Sequence, residues 1–161
     1  MNAIKMLMEQ HGEVDELFKQ FDAAASVEAR RRIFNEIADA LAVHATIEER
    51  HFYPAVKTRQ TEEILLESVQ EHLEIKRVIA DLLQMDAEDD SFEGKMKALQ
   101  QGIQHHVEEE EGELFPRVER MLGPDVLDDL GAAMDDTQKE LKREGNPRHA
   151  IPGEIDAAAP I

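Results

Sequence analysis

The stretch His44-Ala-Thr-Ile-Glu48-Glu-Arg-His-Phe-Tyr-Pro54 is echoed later in the chain by His106-Val-Glu-Glu-Glu110-Glu-Gly-Glu-Leu-Phe-Pro116. Both stretches read His-x-x-x-Glu-Glu-x-x-apolar-aromatic-Pro. In a helix, a spacing of four residues places two side chains on the same face, one turn apart. The repeat therefore predicts two helices that each present one imidazole and one carboxylate to a shared interior.

The rest of the chain carries the periodicity of amphipathic helices. Apolar residues recur at spacings of three and four, which is typical of one buried helical face. Four such stripes include Ile4, Leu7, Val14 and Phe18; Ile33, Ile37 and Leu41; Ile64, Leu65, Ile75 and Ile79; and Phe92, Met96, Leu99 and Ile103. Ser26, the polar run 58–61 and Asp89-Asp90-Ser91 separate the stripes. Because such short links force antiparallel neighbours, we predict an all-α, up-down-up-down four-helix bundle over residues 1–122.

The C-terminal part has a different character. Gly123-Pro124 ends the fourth stripe, and residues 123–145 predict a short additional helix on the outside of the bundle. Residues 146–161 contain three prolines and show no periodicity. We therefore predict an extended, irregular tail.

Composition limits the classes of function. With 161 residues, one domain is expected. A formal net charge of −18, from 36 acidic and 18 basic residues, opposes binding to nucleic acid. The absence of cysteine excludes disulfides and thiolate sites. No apolar run is long enough for a membrane span, and Glu9 and His11 interrupt any signal peptide, so we expect a cytoplasmic protein.

Each stripe contains one histidine: His11, His44, His72 and His106. The positions halfway between consecutive histidines fall within about two residues of the three predicted turns, a helix rise of roughly 3 Å. In antiparallel helices this spacing places all four imidazoles at one depth. Such a layer is costly in an apolar interior unless something satisfies its nitrogens. Metal coordination is the simplest answer, and a purely structural bundle is the alternative.

Glu48 and Glu110 complete a predicted set of six metal ligands. Imidazole and carboxylate donors suit iron, manganese or zinc. Six ligands are too many for one tetrahedral zinc ion, and two carboxylates from different helices can bridge two ions. The pattern therefore favours a dinuclear centre, with iron as the preferred metal.

Other polar residues near the two motifs are less clearly placed. His51 lies seven residues after His44 on the same face, and Glu113 holds the equivalent place in the second motif. Either residue is a candidate additional ligand or an access gate one layer up. Tyr53 is a candidate hydroxyl ligand or hydrogen-bond donor, although its helical phase is poor. Five residues are rotated off the stripes and are predicted to face solvent: Glu49, His105, Glu108, Glu109 and Glu111.

The ordered pattern His…His-x-x-x-Glu…His…His-x-x-x-Glu resembles that of the hemerythrin-like, HHE cation-binding family. It is present as His11, His44 with Glu48, His72, and His106 with Glu110. The resemblance covers roughly residues 1–122. It implies a four-helix bundle that holds a non-haem di-iron centre, in which Glu48, Glu110 and an oxo, hydroxo or water ligand bridge the two iron ions.

The chain departs from this family at one position. Oxygen-carrying hemerythrins have a second histidine four residues after the one on the third helix, and here that residue is Lys76. A protonated lysine cannot coordinate a metal ion. The departure weakens the oxygen-carrier interpretation. It leaves one iron short of a histidine, so either His51 or another group takes that place or the iron position is more open.

The resemblance and the departure together leave several functions open. The first is binding or sensing of dioxygen or a related small ligand at the di-iron centre. The second is an enzyme that acts on peroxide or nitric oxide. The third is iron storage or delivery, with the acidic surface steering Fe(II) inward. A homodimer is compatible with each of them.

Overall fold

The computed structural model describes all 161 residues, and its regular structure is entirely helical. Four long helices form the predicted bundle: α1 (Ala3–Ala23), α2 (Val27–Ile47), α4 (Glu62–Gln84) and α5 (Asp90–Glu109). The short helices α3 (Tyr53–Val56) and α6 (Phe115–Met121) extend α2 and α5 beyond two π-helical turns, Glu48–Phe52 and Glu110–Leu114. Helix α7 (Pro124–Glu144) and a 3₁₀ helix (Pro147–Glu154) complete the chain.

The long helices begin where polar side chains cap them. Asn2 Oδ1 accepts from the Ile4 backbone N–H at 2.8 Å and starts α1. Ser26 Oγ accepts from the Ala29 N–H at 3.1 Å and starts α2. Asp89 caps α5. Each cap satisfies a backbone donor that the first helical turn leaves unpaired.

The apolar interior is divided into two cores. The first core contains the start of α1 together with α3, α6 and the start of α4, and includes Leu7, Ile47, Phe52, Leu65 and Phe115. The second core lies toward the opposite end of the bundle and includes Phe18, Phe34, Ile79, Phe92 and Leu99. Full burial of such a side chain contributes roughly 1.5–3 kcal/mol. Between the two cores lies a polar layer, which we call the His/Glu layer: His11, His44, Glu48, His72, His106 and Glu110.

The two π-helical turns coincide with the repeated motifs. The Tyr53 N–H donates to the Glu48 carbonyl, and the Phe115 N–H donates to the Glu110 carbonyl, so each bond spans five residues instead of four. Pro54 and Pro116 follow directly and lack the N–H that an α-helix would use there, which favours this local departure. Sequence periodicity predicted uninterrupted helices. The extra residue in each turn changes which later side chains face the interior.

The additional helix α7 occupies nearly all of the range 123–145 that the sequence predicted for it. It spans 21 residues, the same number as α1, and packs against both α1 and α2. Gly131 lies against the Met1 backbone, where a Cβ would overlap the Met1 carbonyl oxygen. The small residue thus allows α7 to lie close to the start of the chain.

The prediction of an extended tail is wrong for residues 147–154. After Gly145 and Asn146, both with positive φ, residues Pro147–Glu154 form a 3₁₀ helix that crosses α2 and α4. Arg148 pairs with Asp39 at 2.9 Å, and Ile151 is buried in the second core. A buried apolar residue and ion pairs with α2 and α4 hold a segment whose sequence has no helical periodicity.

No helix of the chain combines the length and apolar content needed to cross a membrane.

Candidate metal centre

The structure brings the four predicted histidines together. Each comes from a different long helix, and the rings lie in two pairs. The ring centroids of His11 and His44 are 4.9 Å apart, and those of His72 and His106 are 4.7 Å apart. The equal depth that the turn spacing predicted is therefore present in the fold.

All four imidazoles have the same orientation, with Nδ1 facing outward and Nε2 facing the interior. The four Nδ1 contacts are His44 with Gln10 at 2.6 Å, His72 with Glu49 at 2.7 Å, His106 with Glu71 at 2.9 Å and His11 with Glu111 at 3.4 Å. Because each partner oxygen can only accept, Nδ1 carries the proton in a neutral ring. The Nε2 lone pairs are left pointing into the His/Glu layer, as metal ligation requires.

Each of the two glutamates lies between one histidine of the first pair and one histidine of the second pair. Glu48 Oε1 lies 3.1 Å from both His44 Nε2 and His72 Nε2. Glu110 Oε1 lies 3.2 Å from His11 Nε2 and 3.3 Å from His106 Nε2. Both glutamates are fully buried. Two groups of potential donors result, one of His11, His44, Glu48 and Glu110 and one of Glu48, His72 and His106, and within each group the donor atoms lie within 4.8 Å of one another.

Several of these atoms are buried without a hydrogen-bond partner: His11 Nε2, His44 Nε2, both Glu48 oxygens and Glu110 Oε1. They approach each other closely, but their alignment does not allow hydrogen bonds. His72 Nε2 and His106 Nε2 are also only 3.1 Å apart. A buried polar atom left unpaired costs about 1–3 kcal/mol. Cations placed between the donors would satisfy all of these atoms, so the residues fit a metal centre.

The buried carboxylates and imidazoles of the His/Glu layer shift one another's pKa values. Burial disfavours the charged form of Glu48, but His44, His106 and His72 outweigh burial and hold its pKa well below the usual range. Burial likewise disfavours the His106 imidazolium, but Glu110 and Glu48 outweigh it and raise the pKa of His106 well above its usual value. The pKa values of His11 and His72 are raised through the same two glutamates, again against burial.

Tyr53 belongs to the site, contrary to the expectation from its helical phase. Its hydroxyl donates to Glu110 Oε2 at 2.8 Å and lies 3.2 and 3.3 Å from the Nε2 atoms of His72 and His106. The π-helical turn places Tyr53 directly above Glu48, because the turn holds one residue more than an α-helical turn. Burial, with Glu110 and Glu48 nearby, raises the pKa of Tyr53 well above its usual value.

The two motifs differ at this aromatic position. Phe115 occupies in the second motif the place that Tyr53 has in the first, and its ring stacks on His11 with an interplanar angle of 7°. The pair His72 and His106 therefore has a phenol beside it, whereas His11 has a phenyl ring. The matching aromatic positions in the repeat were the sequence signal for both residues.

His51 and Glu113 lie away from the His/Glu layer. His51 Nε2 is 2.7 Å from Thr137 Oγ1 on α7, and Glu113 forms an exposed ion pair with Arg117 at 2.8 Å. The π-helical turns rotate both positions off the α-helical stripe.

Glu49 and Lys76 form a buried pair behind His72. Glu49 was predicted to face solvent, but only 11% of its side chain is exposed, and it accepts from Lys76 Nζ at 2.9 Å. Lys76 also pairs with Glu154 of the tail at 3.1 Å. The lysine that replaces a histidine in the family pattern is thus held between two carboxylates. His105 is 65% exposed, as predicted.

A small apolar cavity of about 40 Å³ borders the four histidines. Val14, Leu41, Ile75, Ile103 and Val107 line it, and Ile151 of the tail closes one side. A space of this size admits a water-sized or diatomic molecule. Sequence reasoning missed the cavity because it depends on how the tail packs.

A glutamine at position 48 tests the role of the shared carboxylate. Glu48→Gln keeps the shape but removes the charge that faces both histidine pairs, so we expect loss of most bound metal. Metal per chain, measured by mass spectrometry after purification, is the readout. Glu109→Gln makes the same change one residue before Glu110 and should retain the metal. Equal loss in the two variants would contradict the assignment.

Metal binding should release protons. The raised pKa values of His11, His72 and His106 mean that, in the cation-free protein, these rings keep their protons to higher pH than an ordinary histidine does, and ligation requires neutral rings. Affinity for a divalent cation is therefore expected to rise as the pH increases through these raised pKa values. Calorimetric titrations in buffers of different ionisation enthalpy measure the released protons. A heat of binding that does not depend on the buffer would contradict this.

Comparison with known proteins agrees with this geometry. A solved structure of a hemerythrin HHE cation binding domain-containing protein from Mycobacterium kansasii shares the fold with a TM-score of 0.76 at 24% identity, covering 94% of this chain and 97% of that one. A DNA nickase from Nostoc sp. is 25% identical over 122 residues, which is 76% of this chain. Those residues make up 35% of the nickase, so the chain spans about a third of that relative's length.

The family match is more extensive. Residues 2–118 match the family described as "Hemerythrin HHE cation binding domain". This range contains all six residues of the His/Glu layer as well as Tyr53. With most of its length and the whole of this layer inside the match, the chain belongs to the hemerythrin HHE cation-binding family, whose domains bind metal cations.

Proposed function

We propose that this protein is a non-haem di-iron protein that binds or senses dioxygen or a related small ligand. The observation that carries the proposal is that Glu48 contacts one histidine from each pair and that Glu110 contacts the other histidine from each pair. Two ions, one at each pair, would then share both carboxylates. His11 and His44 would hold one iron, and His72 and His106 the other.

The donor chemistry supports iron. All six residues offer nitrogen or oxygen, and the chain has no cysteine. Such donors suit iron, manganese and zinc. Among helical bundles, the ferritin-like proteins use carboxylates from several helices to bind a pair of iron or manganese ions. When bound, the two irons supply the electrons for reversible binding or reduction of a small oxidant.

The cavity supports a small ligand. Its lining combines aliphatic side chains with Gln10 and the four histidines, and its volume of about 40 Å³ matches dioxygen, nitric oxide or peroxide. The net charge of −18 opposes contact with a phosphate backbone, so DNA nicking is not part of the proposal.

Tyr53 favours a second candidate function, an enzyme that acts on peroxide or nitric oxide. Its buried hydroxyl is held beside His72 and His106 and remains protonated because its pKa is raised. A buried phenol in this position can donate a proton to a reduced oxygen species, which promotes turnover over reversible binding. Reversibility of ligand binding separates the two functions.

Iron content and absorption spectra test the proposal. We expect about two irons per chain, with near-ultraviolet bands typical of a bridged di-iron centre that disappear on anaerobic reduction. A band that returns reversibly with dioxygen supports binding or sensing, whereas irreversible oxidation with peroxide consumption supports the enzyme. A single zinc ion or no metal would refute the di-iron proposal.

Truncation of Ile151 tests whether the tail limits access to the centre. Ile151→Ala removes part of the cavity wall, so azide should bind the oxidised protein several-fold faster, as followed by stopped-flow absorption. Ile155→Ala shortens a tail residue that does not line the cavity and should leave the rate unchanged. Identical azide rates in the two variants would show that Ile151 does not control access.

A further inference from the structure

The outer partners of the four histidines are not equivalent. His72 and His106 each donate Nδ1–H to a carboxylate, Glu49 at 2.7 Å and Glu71 at 2.9 Å. His44 instead donates to the neutral amide oxygen of Gln10 at 2.6 Å. One histidine pair is therefore backed by two short charged contacts, and the other pair lacks a contact of that kind.

The remaining ring, His11, has only a long contact. Glu111 Oε1 lies 3.4 Å from His11 Nδ1, beyond the usual range of a charge-assisted hydrogen bond, and a third of the Glu111 side chain is exposed. Solvent screens such a carboxylate. Glu111 therefore contributes less to the basicity of His11 than Glu71 contributes to that of His106.

A carboxylate on the outer nitrogen makes the inner nitrogen of an imidazole a stronger metal ligand. Loss of such a partner typically lowers metal affinity 10- to 100-fold. The Gln10 amide fixes the orientation of His44 equally well but adds no charge. Gln10 is itself held by Gln138, whose Oε1 accepts from Gln10 Nε2 at 2.9 Å.

Other charges around these partners do not cancel the difference. Lys76 neutralises part of Glu49, but Glu154 pairs with the same ammonium group. Glu71 is near His105 Nε2 at 3.2 Å, and that exposed ring is shared with Glu109 at the same distance. Around Glu49 and around Glu71, the carboxylates therefore outnumber the basic side chains that pair with them outside the His/Glu layer. The phenol of Tyr53 lies on this same side of the layer.

We infer that the two metal positions are unequal, and that the position at His72 and His106 is filled first and holds its ion more tightly. Glu49, Glu71 and Gln10 are positioning residues that set this order through the histidines. The inference rests on the proposed dinuclear function, because it requires two positions.

Zinc is a suitable probe, since it has no redox chemistry and leaves NMR signals sharp. Metal-free protein labelled with ¹⁵N-histidine is titrated with Zn²⁺ while the ring nitrogens are observed. With the first equivalent, the Nε2 signals of His72 and His106 are expected to shift. Those of His11 and His44 should follow with the second.

Three variants identify the cause of the order. Glu71→Gln is expected to weaken the first binding step by roughly 10- to 100-fold and bring it close to the second. Gln10→Glu should tighten the second step by giving His44 a charged partner. Glu74→Gln removes an exposed carboxylate from the same helix without touching a histidine, and both steps should stay unchanged.

The outcomes separate this inference from the proposed function. If two equivalents of Zn²⁺ bind but the signals of His11 and His44 shift first, or all four rings shift together, the inference is overturned and the dinuclear proposal stands. A weakened second step in Glu71→Gln, with the first intact, also overturns it. Binding of only one Zn²⁺ would remove the second position and overturn the inference and the dinuclear proposal together.

Discussion

The fold depends on a layer of buried polar atoms that the protein alone does not satisfy. Four imidazoles and two carboxylates cross the bundle at one depth, and they separate two apolar cores. Five of their atoms have no hydrogen-bond partner, although all are buried. The apolar cores on either side hold these groups together despite that cost. An interior with such unmet polar capacity is organised to receive cations.

The π-helical turns convert a linear motif into a site. In a regular α-helix, the residue above Glu48 would be Phe52, and the tyrosine would point elsewhere. The added residue places Tyr53 in the layer, where it bonds Glu110 from the other half of the repeat. The same turn in the second motif places Phe115 on His11. A pseudo-symmetric sequence thus gives two chemically different halves.

Groups outside the layer connect it to the surface. Glu49, Lys76 and Glu154 link His72 to the C-terminal 3₁₀ helix through consecutive ion pairs. Ile151 of the same segment closes the cavity beside the histidines. The tail is therefore connected to the site in two ways, because Ile151 lines the cavity and Glu154 pairs with Lys76, which in turn pairs with the outer partner of His72.

The sequence by itself determined the four-helix bundle, the depth of the four histidines and the glutamates that share their layer, because helical periodicity and turn spacing are local properties. It also determined the family through the ordered His and Glu positions. Only the tertiary structure decided the place of Tyr53, the outward position of His51, the burial of Glu49 and the packing of the tail. A π-helical turn shifts every later side chain by about one position, and periodicity read from an α-helix carries no sign of it. The tail is held by contacts with helices distant in the sequence, such as that of Ile151 with the second core, and nothing in its local sequence specifies them.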